Sequence, residues 1–145
     1  MINRVKPRVA FRGRFESGLG KRVAIGLGKQ QGAATGHDLG FGCMAENILA
    51  MARVTLSTAT VLGAVGVAEN AYGDIRHVGV MPGHAIEAEE PALLELARSL
   101  TPRLHFDERD VLMADEIGED VAGTGFDTNT IGLPFDHTGA LARPR

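Results

Sequence analysis

The sequence predicts an α/β fold in which short strands alternate with helices. Three observations carry that expectation. Short β-like runs end in glycine or acidic residues, two stretches repeat apolar residues at helical spacing, and the composition is globular. The chain has 145 residues, 44% hydrophobic and 23% charged, about one domain's worth. A domain of this size buries roughly two-thirds of its unfolded surface, so it needs no disulfide or structural metal merely to fold.

Residues 1–5 read as the end of a strand. Lys6-Pro7 turns the chain, and residues 12–21, with Ser17-Gly18-Leu19-Gly20-Lys21 at their end, read as a loop. Residues 22–27 are expected as a short β-like run, followed by a glycine-rich loop, 32–42, that contains His37. Over 44–56, Ile48, Leu49, Met51 and Ala52 recur at helical spacing. Residues 61–68 are expected as a buried strand, with 74–81 pairing beside it. The clearest helix spans 89–100. Pro91 sits in its first turn, Glu87, Glu89 and Glu90 lie at its positive end, and Leu93, Leu94, Leu96, Ala97 and Leu100 share a face. Thr101-Pro102 stops it. Residues 110–114 are expected as a short buried strand that delivers Asp115 and Glu116 to its C-terminal end.

Composition excludes several classes. The longest uncharged stretch, 54–68, is 15 residues and holds three Thr and one Ser, whereas a membrane span wants about 20 apolar residues. No secretory signal is expected, because Asn3, Arg4, Lys6 and Arg8 interrupt any apolar run. The single Cys43 fits a reducing, cytoplasmic compartment. Glycine is in surplus: 19 of 145 residues, nearly twice the average of about 7%.

The net charge of −3 hides an asymmetry. Residues 1–29 carry eight basic side chains against Glu16 alone, while the other 116 residues carry seven basic and seventeen acidic ones. A basic segment on an acidic body points to an anionic ligand, or else is a solvated face that pairs with the acidic remainder. Nucleic acid is not the expected partner, since no binding module is present and the isoelectric point is 5.9.

Three groups of residues could carry chemistry. The first is the glycine-flanked Lys21, followed by Gly26-Leu27-Gly28-Lys29; glycine lets backbone N–H groups approach a phosphate, and lysine adds a point charge. It is neither a P-loop nor a dinucleotide fingerprint, and turn-forming glycines are the plainer explanation. The second is His37, a lone histidine that is either structural or a ligand. The third comprises Asp115, Glu116, Glu119, Asp120, Asp127 and Asn129, able to bind a metal, act as acid or base, or form a solvated loop. Glu69-Asn70 is a smaller case. His77, His84, His105 and His137 have no mutual metal spacing, and nothing near Cys43 would activate it.

The segments together resemble the lactate racemase-like family, the nickel-pincer nucleotide racemases and epimerases. The resemblance runs through Asn3-Arg4-Val5-Lys6-Pro7, Phe11-Arg12-Gly13, Glu16-Ser17-Gly18-Leu19, Lys21, Ile25-Gly26-Leu27-Gly28-Lys29-Gln30 and Gly32-Ala33. It continues at Glu69-Asn70-Ala71-Tyr72, Pro91, Leu93-Leu94 and Pro102-Arg103-Leu104, then Asp110-Val111-Leu112, Asp115-Glu116-Ile117-Gly118, Gly123-Thr124-Gly125 and Asp127-Thr128-Asn129. It covers residues 1–132 as a partial lactate racemase-like domain and leaves 133–145 as a divergent tail.

The resemblance implies an isomerase acting on a 2-hydroxy acid through a lysine-tethered nickel-pincer nucleotide. It implies Lys21 as the tether, with Gly18 and Arg8 beside the cofactor, and His37, sixteen residues on, as the nickel ligand; imidazole suits Ni²⁺. The chain departs from the family pattern at several points. The family's Lys-Pro-His is here Lys6-Pro7-Arg8, and arginine stays protonated, so no residue is assigned the catalytic proton transfer. Thr-Asp-Phe has become Val9-Ala10-Phe11, the later Gly-Lys is Gly118-Glu119, and the closing Gly-Arg is Gly132-Leu133. The family's long amino-terminal region would precede Met1. The expectation is therefore an impaired or incomplete racemase, cytoplasmic and without nucleic-acid or membrane partners. The alternative is a non-catalytic anion-binding or assembly module, or half of a split enzyme, paired with a partner chain or a second copy.

Overall fold

In residues Gly63–Glu69 small and branched side chains alternate, and burial alternates with them: Ala64, Gly66 and Ala68 are buried, while Gly63, Val65 and Val67 are partly exposed. That period of two is a strand with one covered face. The computed structural model describes residues 1–8, 12–38, 43–106, 110–116, 118 and 127–131, with the backbone only at 35–38, 128 and 131.

The fold is mixed α/β. Strand β1 (Ile2–Arg4) lies parallel to β2 (Gly63–Glu69), and β3 (Ile75–Pro82) lies antiparallel on its other side, so β2 is central. Ile2 stands opposite Val65, and Val65 opposite Val80. Asn70 closes the β2–β3 hairpin: its Oδ1 accepts the N–H groups of Tyr72 and Asp74, both at 2.9 Å, and Gly73 takes the positive φ of 81°. The expected 61–68 and 74–81 pair is thus present, shifted by one or two residues.

Between β1 and β2 the chain is helical. A single turn α1 (Leu19–Lys21) runs into a π-helical stretch (Arg22–Leu27), then α2 (Gly28–Asp38) and α3 (Met44–Thr58). This corrects two expectations: 22–27 is not a strand, and the glycine-rich stretch from Gly32 to Asp38 is helix rather than loop. Consecutive Val23 and Ala24 are both buried against Met44, Ile48 and Ala52 of α3, a pattern a half-covered strand could not produce. Glycine at position 32 permits the close approach, since a Cβ there would stand 2.8 Å from the Ala24 carbonyl oxygen. Residues 12–21 remain irregular only as far as Gly18, because Leu19–Lys21 forms the first helical turn.

A short 3₁₀ turn, Gly83–Ala85, leads into α4 (Ile86–Leu100). The helix begins three residues before the expected Glu89, so Pro91 is interior. Proline cannot donate to the carbonyl four residues back. That carbonyl, of Glu87, instead accepts Arg14 Nη2 at 3.5 Å. Leu93, Leu94 and Ala97 pack on the small residues of β2, joined by Val5, Leu19, Met81 and Ile86 in the main core. Burying each large side chain contributes roughly 1.5–3 kcal/mol.

The opposite face of the sheet carries Ile2, Val78 and Val80, which are 70%, 54% and 76% exposed. No described element covers it. Residues 110–114 are also exposed and form no strand, with Met113 90% accessible, which corrects the expected buried strand. The apolar run Val-Leu-Met satisfied the pattern but pairs with nothing described. Among the described residues, no helix is long and apolar enough to cross a membrane.

Candidate functional site

The parallel β1–β2 pairing extends past Arg4, because the Val5 N–H donates to the Val67 carbonyl at 2.8 Å. Lys6 and Ser17 then bond backbone to backbone, at 2.8 and 3.3 Å, closing the loop between them. The Asn3 side-chain amide donates to the Gly18 carbonyl at 2.8 Å. These bonds bring Lys6 and Arg8 beside Lys21, which lies only four residues beyond Ser17.

Two buried carboxylates hold this segment. Glu16 is 1% exposed and accepts the N–H of Arg8 at 2.6 Å and of Gly13 at 3.1 Å. Arg98 of α4 pairs with it directly, and Arg12 lies at 3.6 Å. Glu90 of α4, 2% exposed, accepts the Gly20 N–H at 2.7 Å. Burial pushes the Glu90 carboxyl above its ordinary value of 4.5, and backbone N–H groups of Gly20 and Leu19 hold it down in part. The close approach that glycine allows at 18 and 20 is thus used by the protein's own carboxylate.

Lys21 is half-buried, and its pKa is lowered from 10.5 to about 8. Desolvation is the main cause, with the charges of Arg8 and Lys6 adding to it. Among the described residues, Lys6, Arg8 and Lys21 enter no ion pair. Among the described residues, the buried Arg8 Nε has no hydrogen-bond partner. Three cations with no counter-ion among the described residues attract an anion, and an amine with so low a pKa is partly neutral near pH 7–8 and nucleophilic.

The other expected residues divide. Asn129, 117 positions away from Arg12, accepts a hydrogen bond from its guanidinium, which also donates to the Arg8 carbonyl. Asp127 Oδ1 accepts the Asn129 N–H at 2.8 Å and so caps the short helix α5 (Thr128–Ile131). These two therefore reach the rim of the cation cluster. Asp115 and Glu116 are exposed, and among the described residues no partner holds them. Glu69 pairs with Arg4 at 2.6 Å and Asn70 is spent on the hairpin, so that pair is structural. Glu119, Asp120, 123–125, 9–11 and 133–145 lie outside the described residues, as does His137.

His37 sits on the last turn of α2, and its side chain is outside the described atoms. The path from Lys21 to His37 is not one straight helix: the backbone breaks at Lys29, with φ 51° and ψ −139°. Among the described residues, no group of three or more His, Cys, Asp or Glu is placed to hold a metal ion. Between α2 and α3 lies an open groove of about 370 Å³, lined by Ala24, Gly28, Gly32, Met51, Val54 and Thr55, with no titratable group.

Sequence reading singled out Lys21 and Arg8 but missed Glu16 and Glu90. Glu16 was visible as the single acid in a basic segment, whereas Glu90 looked like one more helix-start carboxylate. Against this geometry, no protein-family model, curated protein or solved structure matches the chain.

Proposed function

We propose that this chain binds a phosphate- or carboxylate-bearing molecule at Lys6, Arg8 and Lys21, and anchors it through the Lys21 amine. The observation that carries the proposal is the half-buried amine, lowered to about 8, among cations that have no counter-ion among the described residues. A lactate racemase-like protein has the same need, since its nickel-pincer nucleotide is anionic and tethered to lysine. The residues present fit the anionic part of that group, because Arg8 Nε is buried without a partner among the described residues and Lys21 is partly neutral.

On this reading the chain is a racemase or epimerase-type isomerase for a 2-hydroxy acid, resident in the cytoplasm. Lys21 and Arg8 would hold the nucleotide, with His37 as the nickel ligand, while Gly18, expected beside it, is closed off by Glu90. The bound group would supply hydride acceptance from the substrate's α-carbon. Lys21, partly neutral near pH 8, would be the amine that tethers the nucleotide. Arg8, permanently charged, orients a carboxylate or phosphate and removes no proton. That last point favours a second reading, in which the chain binds the anion without turning anything over, as an assembly module or one half of a split enzyme.

Co-expression with the cofactor-making enzymes, followed by intact mass and metal analysis, tests both. An adduct on Lys21 with stoichiometric nickel supports the isomerase reading. A bare mass, with pyrophosphate binding that is lost in Lys21→Met and Arg8→Ala, supports the anion module, and a co-purifying partner then identifies a split enzyme. A bare mass with no anion binding overturns both.

A further inference from the structure

Leu19–Lys21 opens the helical run that continues through Arg22–Leu27, and its N-cap, Gly18, has no side chain with which to accept the first N–H groups. A serine, threonine, aspartate or asparagine at that position would ordinarily do so. Here the acceptor arrives from α4, seventy residues away: Glu90 Oε2 takes the Gly20 N–H at 2.7 Å. The fit leaves no room for a side chain. A Cβ on Gly18 would lie 2.0 Å from Glu90 Oε1, and one on Gly20 would lie 3.2 Å from Oε2. The carboxylate is 2% exposed, and among the described residues no cation pairs with it. Burying an acid costs stability, so its retention beneath this turn asks for a return.

We propose that Glu90 is the positioning residue of Lys21: its carboxylate fills the Gly18–Gly20 cradle as a cap supplied from another helix, and so fixes the turn from which Lys21 reaches toward Lys6 and Arg8. The proposal rests on the reading of Lys21 as the anchoring amine and adds what aims it. Glu90 touches no ligand in this scheme; it acts through the backbone of Leu19 and Gly20, one peptide unit before Lys21. The requirement is geometric, an acceptor oxygen at one place, so an amide carbonyl there serves as well as a carboxylate.

The test is acetic anhydride labelling of the full-length chain from pH 6 to 11, read peptide by peptide at Lys21, with Lys6 and Lys29 as internal references, in wild type, Glu90→Gln and Glu90→Asp. The wild-type Lys21 midpoint is expected near 8. Glu90→Gln keeps it there, because its side-chain carbonyl still accepts the Gly20 N–H. Glu90→Asp withdraws the acceptor by one methylene, so the midpoint rises by about one unit or more toward 10.5 as the amine swings into solvent, and the Gly20 amide loses exchange protection. If Glu90→Asp does not fold, Gly18→Ala displaces the same carboxylate and is read identically. A wild-type midpoint near 8 that Glu90→Asp and Gly18→Ala leave unmoved overturns the role of Glu90 alone. A wild-type midpoint near 10.5 overturns the reading of Lys21 on which it rests.

Discussion

The Glu16 carboxylate, buried in the amino-terminal loop, is met by the Arg98 guanidinium from the far end of α4, 82 residues along the chain. The same guanidinium donates to the Gly13 carbonyl at 3.1 Å, so one arginine ties both the loop's backbone and its buried charge to the helix. Glu16→Ala leaves the Arg8 and Gly13 N–H groups without an acceptor. Breaking a fully buried pair costs about 3–5 kcal/mol. Arg98 keeps 31% of its side chain in solvent, so a loss of about 2–3 kcal/mol is expected from urea unfolding. Arg98→Lys, which keeps the charge but loses the fork, should fall between.

Two glycines predict opposite effects of the same change. At Gly66 an added Cβ would lie 2.5 Å from Leu93 Cδ2, within the packing of α4 on β2. Gly66→Ala should therefore destabilise by about 1–3 kcal/mol. At Gly28 nothing lies within 4 Å and the backbone is already right-handed helical. Gly28→Ala should stabilise by about 0.4–1 kcal/mol, chiefly by restricting the unfolded chain. Paired thermal melts check both.

Lys21 makes stability depend on pH in a stated direction. Its pKa is about 8 when folded and 10.5 when not, so between those values the unfolded chain holds the extra proton. Stability then rises as pH rises across that window, and below it the folded protein bears the cost of a charged, half-buried amine. Lys21→Met should be more stable than wild type near pH 7 and should flatten the rise from 8 to 10.5. Urea unfolding at several pH values, taken as the difference between the two proteins, isolates the effect.

The bare face of the sheet gives a prediction with two readable outcomes. Val78 and Val80 face solvent, so Val78→Thr and Val80→Thr should each change stability by no more than about 0.5 kcal/mol. A loss of 1 kcal/mol or more that grows with protein concentration would mean that this face is covered in solution.

Part of this was legible in the residues. Leucines at 93, 94 and 100 with alanine at 97 leave little alternative to α4, and the uncharged run 61–68 reads as a strand, though its one open face was not legible. The cation cluster was legible as a charge asymmetry, although nothing local says that Arg8 comes to Lys21; the Lys6–Ser17 bridge does that. Arg22–Leu27 misled because a short apolar run suits strand and helix alike, and only the burial of both Val23 and Ala24 against α3 decides it. Residues 110–114 misled for the converse reason, since apolar character does not guarantee a partner. Glu90 was the hardest. Its local role as an acid early in a helix is satisfied by sequence alone, while its partner at Gly20 exists only after α4 docks.

The parallel pairing of β1 with β2 also bears on the order of assembly. Asn70 turns β2 into β3 within a few residues and α4 follows at once, so these contacts close cheaply. Ile2 must find Val65 across the whole helical segment, at a larger loop-closure cost. The expected order is hairpin and α4 first, with the amino-terminal strand docking last, and pulsed amide exchange reads it directly. During synthesis residues 2–4 would therefore wait for partners made some sixty residues later. Until they dock, Lys6 and Arg8 do not stand beside Lys21, and their share in lowering its amine comes only with that final step of folding.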